Sequence, residues 1–109
     1  MTKSTIKLLR RWRVDSTKIA GYLNLARKSN NLIIGTENLK KYNKKLYLIV
    51  LSKTAGKTAG AVAEKQKERT ECEVVVADID LAEILNINNC QIVALKNKGF
   101  ADMVIQNLD

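Results

Sequence analysis

Three short stretches of this chain carry residue types and spacings that could do chemistry. The first is Ile33-Ile34-Gly35-Thr36-Glu37-Asn38-Leu39-Lys40-Lys41. An apolar run enters a glycine, which permits a tight turn and a close approach of ligand to backbone. Thr36, Glu37 and Asn38 then place short hydrogen-bonding side chains at the start of a helix, and Lys40 and Lys41 follow one turn later. Glu37 can accept from guanine or cytosine amino groups, and Asn38 can both donate and accept. The lysines suit phosphate oxygens or guanine acceptors. A capped strand-to-helix junction with solvated lysines accounts for the same residues without a ligand.

The second stretch, Ser52-Lys53-Thr54-Ala55-Gly56-Lys57-Thr58, has the look of a phosphate loop. That loop needs a glycine five positions before Gly56, where Leu51 stands. Nucleotide hydrolysis is therefore not expected. Lys53 and Lys57 at a helix start remain candidates for a backbone phosphate, with a solvated turn as the plainer account. In the third stretch, Asp78 and Asp80 invite a metal or phosphoacceptor reading. A receiver-type site would also need acids at the end of the first strand, and Leu32 to Gly35 supplies none, so helix capping is expected instead. The chain has no histidine, the commonest general base and metal ligand. Cys72 and Cys90 fall at or beside strands without paired-ligand spacing, as expected for buried free thiols of a cytosolic protein. The expectation is a protein with no catalytic residues, no metal and no cofactor.

Charge points to the partner class. The net charge is +8, but residues 1–58 hold 14 Lys and Arg against Asp15 and Glu37 alone. Residues 59–109 hold five Lys and Arg against nine Asp and Glu. Such a division suggests a directed field aimed at a polyanion or an anionic membrane. No apolar run approaches the ~20 residues of a membrane span. The basic stretch Lys3 to Arg13 lacks the apolar core and cleavage site of a secretory signal. A cytoplasmic location and no membrane partner are the expectations, with a polyanion as the expected class of partner.

The elements that must position these residues are read from periodicity. Residues 1–15 are a basic lead-in, either a short amphipathic helix through Ile6, Leu8, Leu9 and Trp12 or a flexible tail. Asp15 or Ser16 can cap a helix over 17–29, with Ile19, Tyr22, Leu23 and Ala26 on one face. Arg27 and Lys28 close it and suit its dipole. Leu32 to Ile34 is a strand, and Thr36 a candidate N-cap for the helix after it. Leu46 to Leu51 is continuously apolar, like a strand covered on both faces. A helix of about 56–70 follows, small residues (Ala59, Gly60, Ala61, Ala63) and Val62 in its first half and an exposed charged half from Glu64 to Glu71. Val74 to Ala77 is the next strand, and a short helix runs from the Asp78–Asp80 cap to Leu85. Asn86 to Asn89 turns into a strand at Ile92 to Leu95, and a last helix presents Phe100, Met103 and Val104. Strands alternating with helices predict an α/β domain, a three-layer α-β-α sandwich around a four-stranded mixed or parallel sheet. Residues 1–17 form a basic extension and 18–109 the domain.

The segment KIAGYLNLARKSNNLIIGTENLKKY, the LYLIVLS strand and the closing QIVALKNKGFADMVIQNL resemble the ribosomal L-seven-Ae family of kink-turn RNA-binding proteins, closest to its small bacterial YlxQ-like branch. The likeness rests on Leu23-Asn24-Leu25-Ala26-Arg27-Lys28, on the strand into Gly35 with Lys41 beyond it, and on Lys98-Gly99-Phe100-Ala101. It covers about residues 18–108. The resemblance implies a sandwich with a mixed sheet that binds structured RNA, such as a kink-turn or internal loop, through the first strand-helix junction. Gly35, Thr36, Glu37, Asn38 and Lys41 match the family's binding segment, with Lys40 beside them. Arg27, Lys28, Lys53 and Lys57 would flank it, and Leu85, Asn86, Ile87 and Asn88 match its second contact loop. Archaeal members carry Asn then Glu where this chain has Glu37 then Asn38, and Ala82 and Asn86 stand where glycines are common. The expected protein is a non-catalytic, ribosomal-protein-like RNA binder, monomeric, with the ribosome as candidate host. A protein-interaction or regulatory adaptor on the same fold is the alternative.

Overall fold

The continuously apolar run of the middle of the chain takes the centre of the sheet, where both faces are covered. In a computed structural model describing residues 11–12 and 16–108, β3 (Leu48–Leu51) is buried at every position. It pairs in parallel with β4 (Glu73–Ala77) and antiparallel with β5 (Ile92–Leu95). Strand β2 (Leu32–Ile34) lies antiparallel on the far side of β5. A two-residue β1 (Arg11–Trp12) runs parallel to β4 beside Val76 and Ala77, so the order is β1-β4-β3-β5-β2. The four longer strands form the mixed sheet that the sequence predicts.

The pleat sends alternate side chains to opposite faces. Leu48, Val50, Val75, Val93 and Leu95 meet α1 (Ser16–Lys28), α4 (Leu81–Leu85) and α5 (Lys98–Gln106), which contribute Ile19, Leu23, Leu81, Leu85, Ala101 and Val104. On the other face, Ile33, Ile49, Leu51, Val74, Ile92 and Ala94 meet α2 (Thr36–Lys41) and α3 (Lys57–Thr70) through Leu39, Ala59, Val62 and Ala63. The architecture is an α-β-α sandwich. No helix among the described residues is long and apolar enough to cross a membrane.

Several expectations change in detail. The lead-in is neither helix nor tail at Arg11–Trp12, which form a strand. The outer edge of β4 offers unpaired backbone groups, and a neighbouring segment satisfies them. The rest of the lead-in's expected helix, and the Asp15 cap, lie outside the described residues. The second half of α3 is not uniformly exposed, because Gln66 and Thr70 are buried. Ala61 faces solvent while Ala59 and Ala63 pack on the sheet. On α5, Ala101 and Val104 are the buried pair, and Phe100 packs half-buried beside them.

The topology positions the site. Strands β2, β3 and β4 share one direction and β5 opposes them. The turns leaving β2, β3 and β4 therefore gather at the same end of the sheet as the segment entering β5.

Candidate nucleic-acid interface

Three segments are tied together at that end. The Gly35 N–H donates to the Ile92 carbonyl at 2.9 Å, joining the end of β2 to the start of β5. The Ser52 N–H donates to the Gln91 carbonyl at 2.9 Å, and the Gln91 side chain accepts from the Gly56 N–H at 3.1 Å. Gln91 and Ile92 thus hold the Gly35 turn, the Ser52–Gly56 turn and the Asn86–Asn89 loop side by side.

Gly35 occupies φ 91, ψ 156, a region essentially reserved for glycine. It is the N-cap of α2, where the sequence expectation was Thr36. The reason is register: Thr36 is already helical, and the first intrahelical acceptor is the Gly35 carbonyl, receiving from Leu39 at 3.1 Å. No side chain caps α2, so no side chain takes the first amides of the helix. Asn38 donates through its side-chain amide to the Ile34 carbonyl at 2.9 Å, which braces the turn. Glu37 and Lys40 form an exposed pair at 3.7 Å, weak enough for a ligand to displace. Lys41 ends the helix exposed.

The helix itself is clamped from below by Gln66. Its side-chain amide donates to the carbonyls of Leu39 at 2.6 Å and Tyr42 at 3.0 Å, and its oxygen accepts from Arg69 Nε at 2.6 Å. The Leu39 carbonyl, near the end of this six-residue helix, also accepts from the Tyr42 N–H at 3.2 Å, so Gln66 gives it a second donor. Ser52 acts similarly for the next turn. Its hydroxyl, fully buried, donates to the Ile79 carbonyl at 3.1 Å and accepts from the Leu81 N–H at 3.1 Å and the Thr54 hydroxyl at 2.9 Å. Gln66 and Gln91 did not stand out in the sequence, and Ser52 stood out only as the first residue of the phosphate-loop-like stretch. Each is a polar residue on or beside an apolar element, the one signal that could have found them.

The second loop explains its own asparagines. Asn86 and Asn89 sit at φ 55 and 59, the left-handed region that asparagine tolerates best after glycine. Asn86 closes α4, with the Ile87 N–H donating to the Ala82 carbonyl at 2.9 Å. This is a Schellman-type ending, so asparagine serves where glycine is usual. Asn88 is exposed and Ile87 half-buried against the core.

Not every predicted contact residue reaches this end. Leu85 is in the core, 2% exposed, and offers only its carbonyl. Arg27 donates to that carbonyl at 3.0 Å, so it links α1 to the end of α4. Lys28 is exposed at the close of α1, beside the turn that feeds the start of β2 and away from Gly35. Lys53 and Lys57 stand exposed on the turn after β3, which the entry of β5 separates from the Gly35 turn, and the Lys53 N–H donates to the Ile79 carbonyl on the β4 side at 2.9 Å. The Gly56 amide is already taken by Gln91, and α3 has no side-chain cap. Asp80 caps α4 by accepting from the Ala82 N–H at 3.0 Å, the expected role. Cys72 and Cys90 are buried free thiols. Burial pushes the Cys90 thiol above its ordinary value, with Asp80 adding to the rise and Arg27 opposing it. No group of three or more metal-ligating side chains occurs among the described residues.

The division of charge along the chain does not become two opposite faces. β3 from the basic half pairs with β4 and β5 from the acidic half, and Lys65 and Arg69 join Lys40 and Lys57 between α2 and α3.

No protein-family model matches the chain, and no curated protein matches it. Solved structures do. A protein of unknown function from Bacillus halodurans C superimposes with a TM-score of 0.65 at 22% identity, over 82% of this chain and 94% of that one. The Giardia lamblia 15.5kD RNA binding protein superimposes with a TM-score of 0.59 at 15% identity, over 84% of this chain and 82% of that one. At these identities the likeness establishes a shared fold.

Proposed function

We propose that this chain is a non-catalytic RNA-binding protein that holds a bent or internally looped RNA at the Gly35 end of its sheet. One observation carries the reading: the Gly35–Lys41 junction, the Lys53–Lys57 turn and the Asn86–Asn89 loop are brought together by Gln91 and Ile92. In this reading, Thr36, Glu37, Asn38 and the first amides of α2 contact base edges, and Lys41, Lys40, Lys53 and Lys57 neutralise phosphates. The second loop offers Asn86, Asn88 and Asn89 as its exposed surface, with Ile87 packed half-buried beneath them. The RNA-binding neighbour from Giardia lamblia, on the same fold, supports the choice of RNA. The motifs shared with the ribosomal L-seven-Ae family support a kink-turn as the preferred form and the ribosome, in the cytoplasm, as its setting. The lack of histidine and the Leu51 that replaces a phosphate-loop glycine support a non-catalytic role.

The test compares a kink-turn RNA with a straight duplex of matched composition by fluorescence anisotropy across salt concentrations. The reading predicts tighter binding to the kink-turn and a log-affinity that falls by ~0.7–0.9 per neutralised phosphate per decade of salt. Lys41→Ala should weaken binding while leaving the circular dichroism melt unchanged. Equal binding to both RNAs would restrict the function to general RNA affinity, and absence of binding to either would overturn it.

A further inference from the structure

The sequence reading gave the outer face of α3 no role beyond Lys57 at its start. Lys57, Ala61, Lys65 and Arg69 recur every four residues along it, one stripe of the helix. Between that stripe and α2 runs an open groove of about 1040 Å³. Lys40, Lys57, Lys65 and Arg69 line it, and Tyr42 and Val62 form an apolar floor. Glu68 is the single acid among the lining residues. The Arg69 guanidinium is held in place, donating to the Gln66 side chain at 2.6 Å and to the Lys44 carbonyl at 2.7 Å. Both helices start at the Gly35 end of the sheet, so the groove opens beside the proposed RNA site and leads away from it toward Tyr42.

From this geometry we infer that the groove takes a single-stranded RNA segment leaving the structured RNA bound at the Gly35 end. This rests on the RNA-binding reading above and extends it to a second class of contact. A row of cations over an apolar floor with one aromatic ring is the pattern that tracks a phosphate backbone while bases pack on the floor. The stripe from Lys57 to Arg69 spans roughly 18 Å at 1.5 Å per residue, enough for a strand rather than a single phosphate. Continuity with the Gly35 site and the excess of cations favour RNA over an acidic protein segment. The chain's own lead-in is excluded as occupant by like charge, since it carries Lys3, Lys7, Arg10, Arg11 and Arg13.

The experiment measures anisotropy with a kink-turn RNA, blunt or carrying a single-stranded tail of about six nucleotides on either end, a length within the usual reach of such grooves. Wild type should gain on the order of tenfold in affinity from one of the tails, as one or two stacked bases supply. Its salt slope should also steepen by ~0.7 per added phosphate contact. The double variant Ala61→Glu/Lys65→Glu, at exposed positions outside the primary site, should keep the blunt-RNA affinity and lose the gain. Lys65→Gln alone should lower the salt slope for the tailed RNA only. If the blunt RNA binds and neither tail adds affinity, or the gain survives in the double variant, the groove assignment falls and the RNA-binding reading stands. If neither RNA binds wild type, both fall. A poly-glutamate peptide that binds wild type but not the double variant, where tails add nothing, would reassign the groove to an acidic protein segment.

Discussion

Two turns in this protein look alike in sequence and differ in what their glycines do. Gly35 and Gly56 each follow an apolar strand, precede a short polar stretch with lysine, and become the N-cap of a helix. Gly35 has φ 91 and ψ 156, where a side chain is strained. Gly56 has φ −100 and ψ −164, extended backbone that any residue adopts. Both glycine amides are occupied, Gly35 by the Ile92 carbonyl and Gly56 by the Gln91 side chain, and neither helix has a side-chain cap, so the dihedral angles are what separate the two turns. The more phosphate-loop-like motif thus holds a glycine in ordinary extended backbone, and the less familiar motif holds the one whose conformation demands glycine. A glycine's importance lies in its dihedral angles, and these are not written in the motif.

The largest expected effect breaks this contrast at its strained member. Gly35→Ala should cost ~1–3 kcal/mol of stability through the forced dihedral and should abolish RNA binding by reorienting α2. Chemical denaturation read beside anisotropy checks both, and an unchanged midpoint would contradict the assignment. Ser52→Ala should cost ~1–3 kcal/mol, because the Ile79 carbonyl and Leu81 N–H lose a buried partner. Its effect on RNA binding should be smaller than that of Gly35→Ala, since it loosens the Gly56 turn rather than the α2 turn.

A pH scan sharpens the picture of the floor beneath the loops. The unfolded Cys90 thiol ionises at ~8.5, while burial holds the folded thiol above its ordinary value. The folded state then keeps a proton that the unfolded state has lost. Stability from this group is intact below the unfolded value and falls as pH rises from there toward the folded one. Cys90→Ala should flatten that alkaline part of the stability curve, and the same slope in both proteins would argue against a buried thiol. The smallest effect belongs to Gly56→Ala. The new methyl would lie 4.0 Å from the Gln91 oxygen, ordinary contact, so stability should be unchanged or raised by ~0.4–1 kcal/mol. A loss comparable to that of Gly35→Ala would erase the distinction between the two turns.

The layered architecture was legible because it rests on local periodicity: the helical face of Ile19, Leu23 and Ala26, and the unbroken apolar run of β3. The Gly35 turn was legible for the same reason, a glycine placed where strand pattern gives way to helix pattern. What stayed hidden depends on partners distant along the chain. Arg11–Trp12 becomes a strand only because the edge of β4 is there to receive it. Gln66 is buried where it donates to the carbonyls of Leu39 and Tyr42, which lie 27 and 24 positions away. Leu85 and Lys28 were placed at the site by position in a motif. Their side-chain surroundings, core for one and the far end of β2 for the other, are set by tertiary packing.

The central claim, that RNA is held at the Gly35 turn, is tested most directly by ultraviolet crosslinking of the purified protein to a kink-turn RNA followed by peptide mapping. The account predicts crosslinks concentrated in Gly35 to Lys41, with a weaker set in Asn86 to Asn89. Crosslinks confined to the basic lead-in or to the exposed face of α1, with the Gly35 segment unmodified, would contradict it.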